Sequence, residues 1–125
     1  MDILVNIDVD DLERAERFYI AAFGLRAGRR FGDTMPDLLG GSAPIYLLRK
    51  PAGTPATHAA MQRRDYARHW TPVHLDFVVD NIEAAVANAL AAGARLEAPV
   101  ADSAWGRLAL LADPFGHGVC LVQFS

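Results

Sequence analysis

Apolar and polar residues alternate over residues 3–9. Ile3, Val5, Ile7 and Val9 share one face, and Leu4, Asn6 and Asp8 share the other. A period of two is that of a β-strand with one buried face. The period then lengthens. Leu12, Ala15, Phe18, Tyr19, Ala22 and Phe23 recur at helical spacing, with Glu13, Arg14, Glu16 and Arg17 on the other faces. Asp10 and Glu13 have the spacing of a capping box, and Gly24 is placed to stop the helix. Residues 25–50 read as short strands between turns. Residues 25–31 and 44–49 are strand candidates, 32–34 are turn-like, 35–39 stay undecided, and Gly40-Gly41-Ser42 is a break.

The alternation returns at residues 73–79. Val73, Leu75, Phe77 and Val79 point one way, and His74, Asp76 and Val78 the other. Asp80 and Glu83 repeat the capping spacing, and Ile82, Ala85, Val86, Ala89 and Leu90 form a helix stripe that stops near Gly93. Strands are expected at 95–99, 107–112 and 119–124, with a turn at Asp113-Pro114-Phe115-Gly116. Shifting the chain by about 70 residues superposes the halves: Val9 falls on Val79, Asp10 on Asp80, Leu12 on Ile82, Glu13 on Glu83 and Ala15 on Ala85. Each half reads as strand, helix, then about three strands. A unit of roughly 60 residues buries too little surface to stand well alone. The halves are therefore expected to pack together, or to pair with a second chain, as module 1 (1–50), a linker (51–72) and module 2 (73–125) of one domain. The linker carries Pro51, Gly53, Pro55 and Pro72, is locally basic, and admits a short helix at 59–67. His58 and His69 in it are expected to face solvent.

Composition narrows the partners. The net charge is −3 and no basic stripe is present, which argues against nucleic acid. No apolar run approaches the roughly 20 residues of a membrane helix. The N-terminus does not read as a signal peptide. Cys120 is the single cysteine, which excludes an internal disulfide and fits a reducing cytoplasm. The apolar faces of the two repeated strands should lie under the helices. The opposite faces are too polar for a dry core. They line either a ligand cleft or a solvated sheet surface, and convergent polar groups favour the cleft.

The segments Val9-Asp10-Asp11-Leu12-Glu13-Arg14-Ala15, Phe18-Tyr19 and Phe23-Gly24-Leu25 carry a resemblance. So do His74-Leu75-Asp76-Phe77-Val78-Val79-Asp80, Trp105-Gly106 and Asp113-Pro114-Phe115-Gly116. In this order the chain resembles the vicinal oxygen chelate superfamily of glyoxalase I, bleomycin-resistance proteins and extradiol dioxygenases, and in particular its glyoxalase-like domain subgroup. The resemblance implies an α+β fold of two paired βαβββ modules. It further implies a curved mixed sheet around a cleft, helices on the outer face, and a homodimer. Metal-dependent members take one ligand near the start and one near the end of each module. Those positions map to Leu4, Tyr46, His74 and Cys120. Leu4 has no lone pair and neutral tyrosine is a poor ligand, so His74 and Cys120 leave two donors at most. A metal centre of the glyoxalase I or dioxygenase type is not expected, nor any other cofactor.

The candidate ligand-binding residues are Asn6, Tyr46, Trp70, His74, Asp76, Trp105 and Cys120. His74 and Asp76 are the candidate catalytic pair. Two apart on one strand, their Cα atoms lie about 6–7 Å apart, a separation that leaves room for a bridging water or ligand. A plain structural hydrogen bond is the competing reading. Asn6 and Asp8 would make a cleft mildly acidic, although Asp8, near the strand end, reads better as solvated. Phe31, Tyr46, Trp70 and Trp105 are candidate stacking aromatics. Cys120 reads as a small buried hydrophobe rather than a nucleophile. Three functions are expected in descending order. The first is metal-independent binding of an aromatic or antibiotic-like small molecule. The second is lyase or isomerase chemistry by His74 and Asp76. The third is a divalent-metal enzyme with an atypical ligand set.

Overall fold

The computed structural model describes residues 1–30 and 35–125. Phe31, the end of the first expected strand and the 32–34 turn lie outside the described residues. The elements are β1 (Val5–Val9), α1 (Leu12–Phe23), β2 (Arg26–Arg30), β3 (Pro36–Leu39), β4 (Ile45–Arg49), β5 (Leu75–Val78), α2 (Ile82–Ala92), β6 (Arg95–Ser103), β7 (Gly106–Ala112) and β8 (Gly118–Phe124). They form two four-stranded mixed sheets with identical topology, β1-β4-β3-β2 and β5-β8-β7-β6. In each, the first strand runs parallel to the last and the other pairs are antiparallel. The α+β architecture and the repeated βαβββ order therefore agree with the sequence expectation, and within the undecided stretch 35–39 Pro36–Leu39 form a strand.

The chain divides into two compact units. One comprises Met1–Ile20 and Gly24–Tyr66, the other Ala21–Phe23 and Ala67–Ser125. In the first, Ile7 and Val9 of β1 are buried with Ile45, Leu47 and Leu38, and Ala15, Phe18 and Tyr19 supply the buried stripe of α1. In the second, Ile82, Val86 and Ala89 of α2 are buried with Ala109, Leu111, Val119 and Leu121. Phe23, which belongs to this unit, stacks on Phe77 with centroids 4.1 Å apart. Gln123 Oε1 accepts the Ile82 amide at 2.8 Å, and Arg107 pairs with Glu83. Gln123 and Arg107 thus mark the α2 side of the sheet. Alternation then places Gly118, Cys120 and Val122 on the opposite side.

Three local expectations are corrected. The helix caps are Asp11 and Asn81 rather than Asp10 and Asp80. Their side chains accept the Arg14 and Ala84 amides at 3.1 and 3.0 Å. A cap needs an extended residue whose oxygen reaches the third helical amide, and the chain satisfies this one position later. Residues 59–67 contain no helix. Instead Arg64 organises the linker, donating to Asp8 Oδ2 (2.6 Å), Thr54 Oγ1 (3.3 Å), Ala56 O (3.0 Å) and Pro55 O. Asp8 therefore anchors this arginine while its side chain stays one-third exposed, rather than being simply solvated. Tyr66 closes the segment by donating to Lys50 O at 2.6 Å.

Arg64→Gln removes the charge and the fork that satisfies several acceptors at once. Limited proteolysis is expected to cut the variant between residues 51 and 66 at least ten times faster than the parent. Equal rates would show that Arg64 does not hold the linker. Gly106 has φ +148°, and a Cβ there would sit 2.2 Å from Gln123 O. Gly24 has φ +65° with nothing within 4 Å. Denaturant unfolding should show Gly106→Ala losing roughly 3 kcal/mol or more and Gly24→Ala only about 1 kcal/mol.

Candidate functional site

The second unit gathers Trp70, His74, Asp76 and Cys120 around one sheet face. Asp76 on β5 pairs laterally with Cys120 on β8, so their side chains share the face opposite α2. His74 Nε2 lies 3.2 Å from Asp76 Oδ1. The contact is direct, against the expected gap for a bridging group. His74 sits just before the regular strand, and its imidazole reaches along the chain to close the distance. His74 and Asp76 are 41% and 48% exposed at their side chains, so the pair is open to a ligand.

Trp70 is held beside them. Its ring meets His74 edge to face, with centroids 5.3 Å apart. It lies against Gly118, where a Cβ would approach Trp70 Cδ2 to 2.4 Å. Glycine at that position makes room for the indole on the sheet. Trp70 Nε1 donates to Glu97 Oε1 at 3.0 Å, and the Arg68 guanidinium lies 4.7 Å above the ring. Arg68 Nε in turn donates to Glu97 Oε2 at 2.8 Å. These bonds, Arg68 first, hold the Glu97 carboxyl below the usual carboxylate range. The sequence signal for Trp70 was its aromatic character alone. Arg68 and Glu97 went unrecognised because they lie 29 residues apart in the chain.

Cys120 is buried, with 3% of its surface exposed. Burial pushes its thiol up from 9.0 to about 12, and the Asp76 charge adds to the shift. The thiol is also hydrogen-bonded with the Asp76 carboxylate. His74, Asp76 and Cys120 thus form one chain of contacts centred on Asp76. Their donor atoms all lie within 4.8 Å of one another. This corrects the count of two possible donors, because Asp76 adds a third. The four positions that the superfamily uses for metal still do not fit. Leu4 is exposed and carries no donor, so one of the four positions is lost outright.

Asn6 and Tyr46 belong to the first unit, where they are register partners on β1 and β4. Asp37 on β3 is the next partner of Tyr46, which continues a polar row. Asn6 is exposed, whereas Tyr46 and Asp37 are 8% and 2% exposed. Asp37 Oδ1 has no hydrogen-bond partner among the described residues, and Oδ2 lies 3.9 Å from Arg29 Nε. Sequence reasoning passed over Asp37. An acid inside Pro36-Asp37-Leu38-Leu39 was the available signal. Trp105 lies at the β6–β7 turn, where it meets Phe124 with centroids 6.1 Å apart. Phe124 is four residues along β8 from Cys120, about 13 Å at strand rise, so Trp105 does not join the His74 cluster.

These modules are those of a known family. The chain belongs to the Glyoxalase-like domain family of the vicinal oxygen chelate superfamily, whose profile matches residues 4–122. Three solved structures illustrate the shared fold. One is a glyoxalase/bleomycin resistance protein/dioxygenase family enzyme from Burkholderia phytofirmans PsJN, 20% identical over 98% of this chain and 97% of its own, with TM-score 0.74. The fosfomycin resistance protein FosX from Mesorhizobium loti is 16% identical over 98% and 91%, with TM-score 0.69. A lactoylglutathione lyase from Agrobacterium tumefaciens is 18% identical over 97% and 92%, with TM-score 0.66. Identities this low carry the fold alone. No curated protein matches the chain. Among the described residues, no helix is long and apolar enough to cross a membrane.

The state of Cys120 sets a pH dependence. The unfolded thiol loses its proton near 9.0 and the folded one near 12. Stability from this group is full below the lower value and declines as pH rises through that window. A thiol-reactive disulfide reagent at about pH 8 should label Cys120 no faster than the chain unfolds. Rapid stoichiometric labelling of the native chain would contradict a buried, protonated thiol.

Proposed function

We propose that this chain is a metal-independent small-molecule-binding protein of the glyoxalase/bleomycin-resistance type. Its ligand carries an aromatic or polycyclic group and a hydrogen-bonding edge. The observation that supports this reading most is the fixed indole of Trp70 beside the open His74–Asp76 pair. Glu97, Arg68 and Gly118 hold the ring before any ligand arrives, so little ordering is left to oppose binding. Apolar contact along the indole edge with one polar contact to His74 or Asp76 suits such a ligand. Sequestration of an antibiotic-like compound is one use of such a site, and FosX by its name serves fosfomycin resistance. The proposal includes a cytoplasmic homodimer, following the family resemblance and the free Cys120.

A second reading is supported by the direct His74–Asp76 contact. Asp76 orients the imidazole, and His74 then moves a proton on a small polar metabolite as a lyase or isomerase. A thermal-shift screen with aromatic antibiotics, with and without chelator, separates the readings. At about 100 times Kd, a binder that emerges chemically unchanged should raise the melting temperature by roughly 5–15 °C. The shift should be insensitive to chelator and largely lost in Trp70→Ala. Turnover lost in His74→Ala but indifferent to chelator would replace binding by the second reading. Activity abolished by chelator and restored by a divalent ion would overturn metal independence.

A further inference from the structure

His69 and His117 are 48 residues apart in sequence, yet their rings meet in the second unit. His117 Nδ1 lies 3.3 Å from His69 Nε2, with the rings edge to face at 88°. Neither residue belongs to the His74 cluster. Both backbones are fixed. His69 forms a parallel bridge with His117, its amide donates to Gly116 O at 2.9 Å, and its carbonyl accepts the Gly118 amide at 2.9 Å. The His117 amide donates to Asp113 Oδ1 at 2.8 Å, and its carbonyl accepts the Asp113 amide at 2.9 Å.

We propose that His69 and His117 form a two-imidazole clamp for a borderline divalent ion of the cupric, nickel or zinc type. Three features of the pair carry this. First, His69 Nδ1 faces Ala67 O at 3.3 Å. A ring N–H donated to a carbonyl fixes the tautomer and leaves the lone pair on Nε2, the arrangement metal-binding histidines use. Second, two nitrogens each about 2.0–2.1 Å from one ion stand about 2.9 Å apart at the right angle of a tetragonal site and about 3.3 Å apart at the tetrahedral angle. The observed separation of 3.3 Å equals the tetrahedral chord, and a small ring movement reaches the tetragonal one. Third, His69 is exposed and His117 half-buried, so an ion can reach the pair and keep water in its remaining positions. Arg68 is the nearby cation, donating to His69 O and Gly116 O, and Glu97 pairs with it. Without the ion, His117 Nδ1–H donates to His69 Nε2. Binding moves that proton to His117 Nε2, so no net proton leaves a neutral pair. The ion would tie residues 67–70 to the turn before β8, next to Trp70.

The test uses tag-free full-length protein titrated with cupric ion in a non-coordinating buffer. Binding is read by tryptophan fluorescence quenching, and the nitrogen ligands by electron paramagnetic resonance. One equivalent should bind with two nitrogen ligands. His117→Gln and His69→Gln should each weaken binding at least tenfold, while His58→Gln leaves it unchanged. Circular dichroism and melting temperature confirm that both variants fold, and exposed His69 provides the milder substitution. Undiminished affinity in both variants would overturn the clamp and leave a plain hydrogen bond. Loss of binding in His74→Ala or Cys120→Ser, with His69→Gln unaffected, would overturn it in favour of the His74–Asp76–Cys120 cluster.

Discussion

In each module the first strand pairs in parallel with the last, and the other features hang on that pairing. A parallel pair cannot be joined by a tight turn and needs a long crossover. Here the crossover holds one helix and two antiparallel strands in both modules. The pairing brings the two ends of a module side by side, Asn6 against Tyr46 and Asp76 against Cys120. Residues that are distant in the chain become lateral neighbours on one sheet face. With the side-chain period fixed at two, a register slip of one residue would move Cys120 to the α2 side and dismantle the contact chain through Asp76.

The polar groups on that face bond to one another while staying partly open to solvent. Asp76 receives contacts from both His74 and Cys120. Glu97 accepts from Trp70 and Arg68. An unpaired buried polar group costs roughly 1–3 kcal/mol, so such clusters favour one arrangement over its alternatives. Among the described residues Asp37 is the exception, with one buried carboxylate oxygen that meets no partner there. The same rule governs the linker, where a single guanidinium ties Asp8 to three acceptors between Thr54 and Ala56. A segment rich in proline and glycine is thereby ordered without forming a helix.

Several site features could not be read from local pattern. Asp8 looked solvated because its partner Arg64 is 56 residues away. Asp10 and Asp80 looked like caps because spacing alone does not reveal which residue turns extended. His69 and His117 looked like ordinary loop and turn residues, since their meeting depends on residues 67–70 adding to the start of β8. Trp105 looked like a stacking aromatic near the cluster, but strand length sets it against Phe124 instead.

By itself the sequence determined the element types, their repetition and the two-faced character of β1 and β5, because these follow from hydrophobic periods over a few residues. It also marked His74, Asp76 and Cys120 as residues of interest through their place in the repeat. Tertiary structure alone decided which of these side chains touch and which solvent reaches. Contacts such as Asp76 to Cys120, Arg68 to Glu97 and His69 to His117 join positions tens of residues apart. Such distances are set by strand register and by how side chains share limited space, and neither is written in any local stretch of the chain.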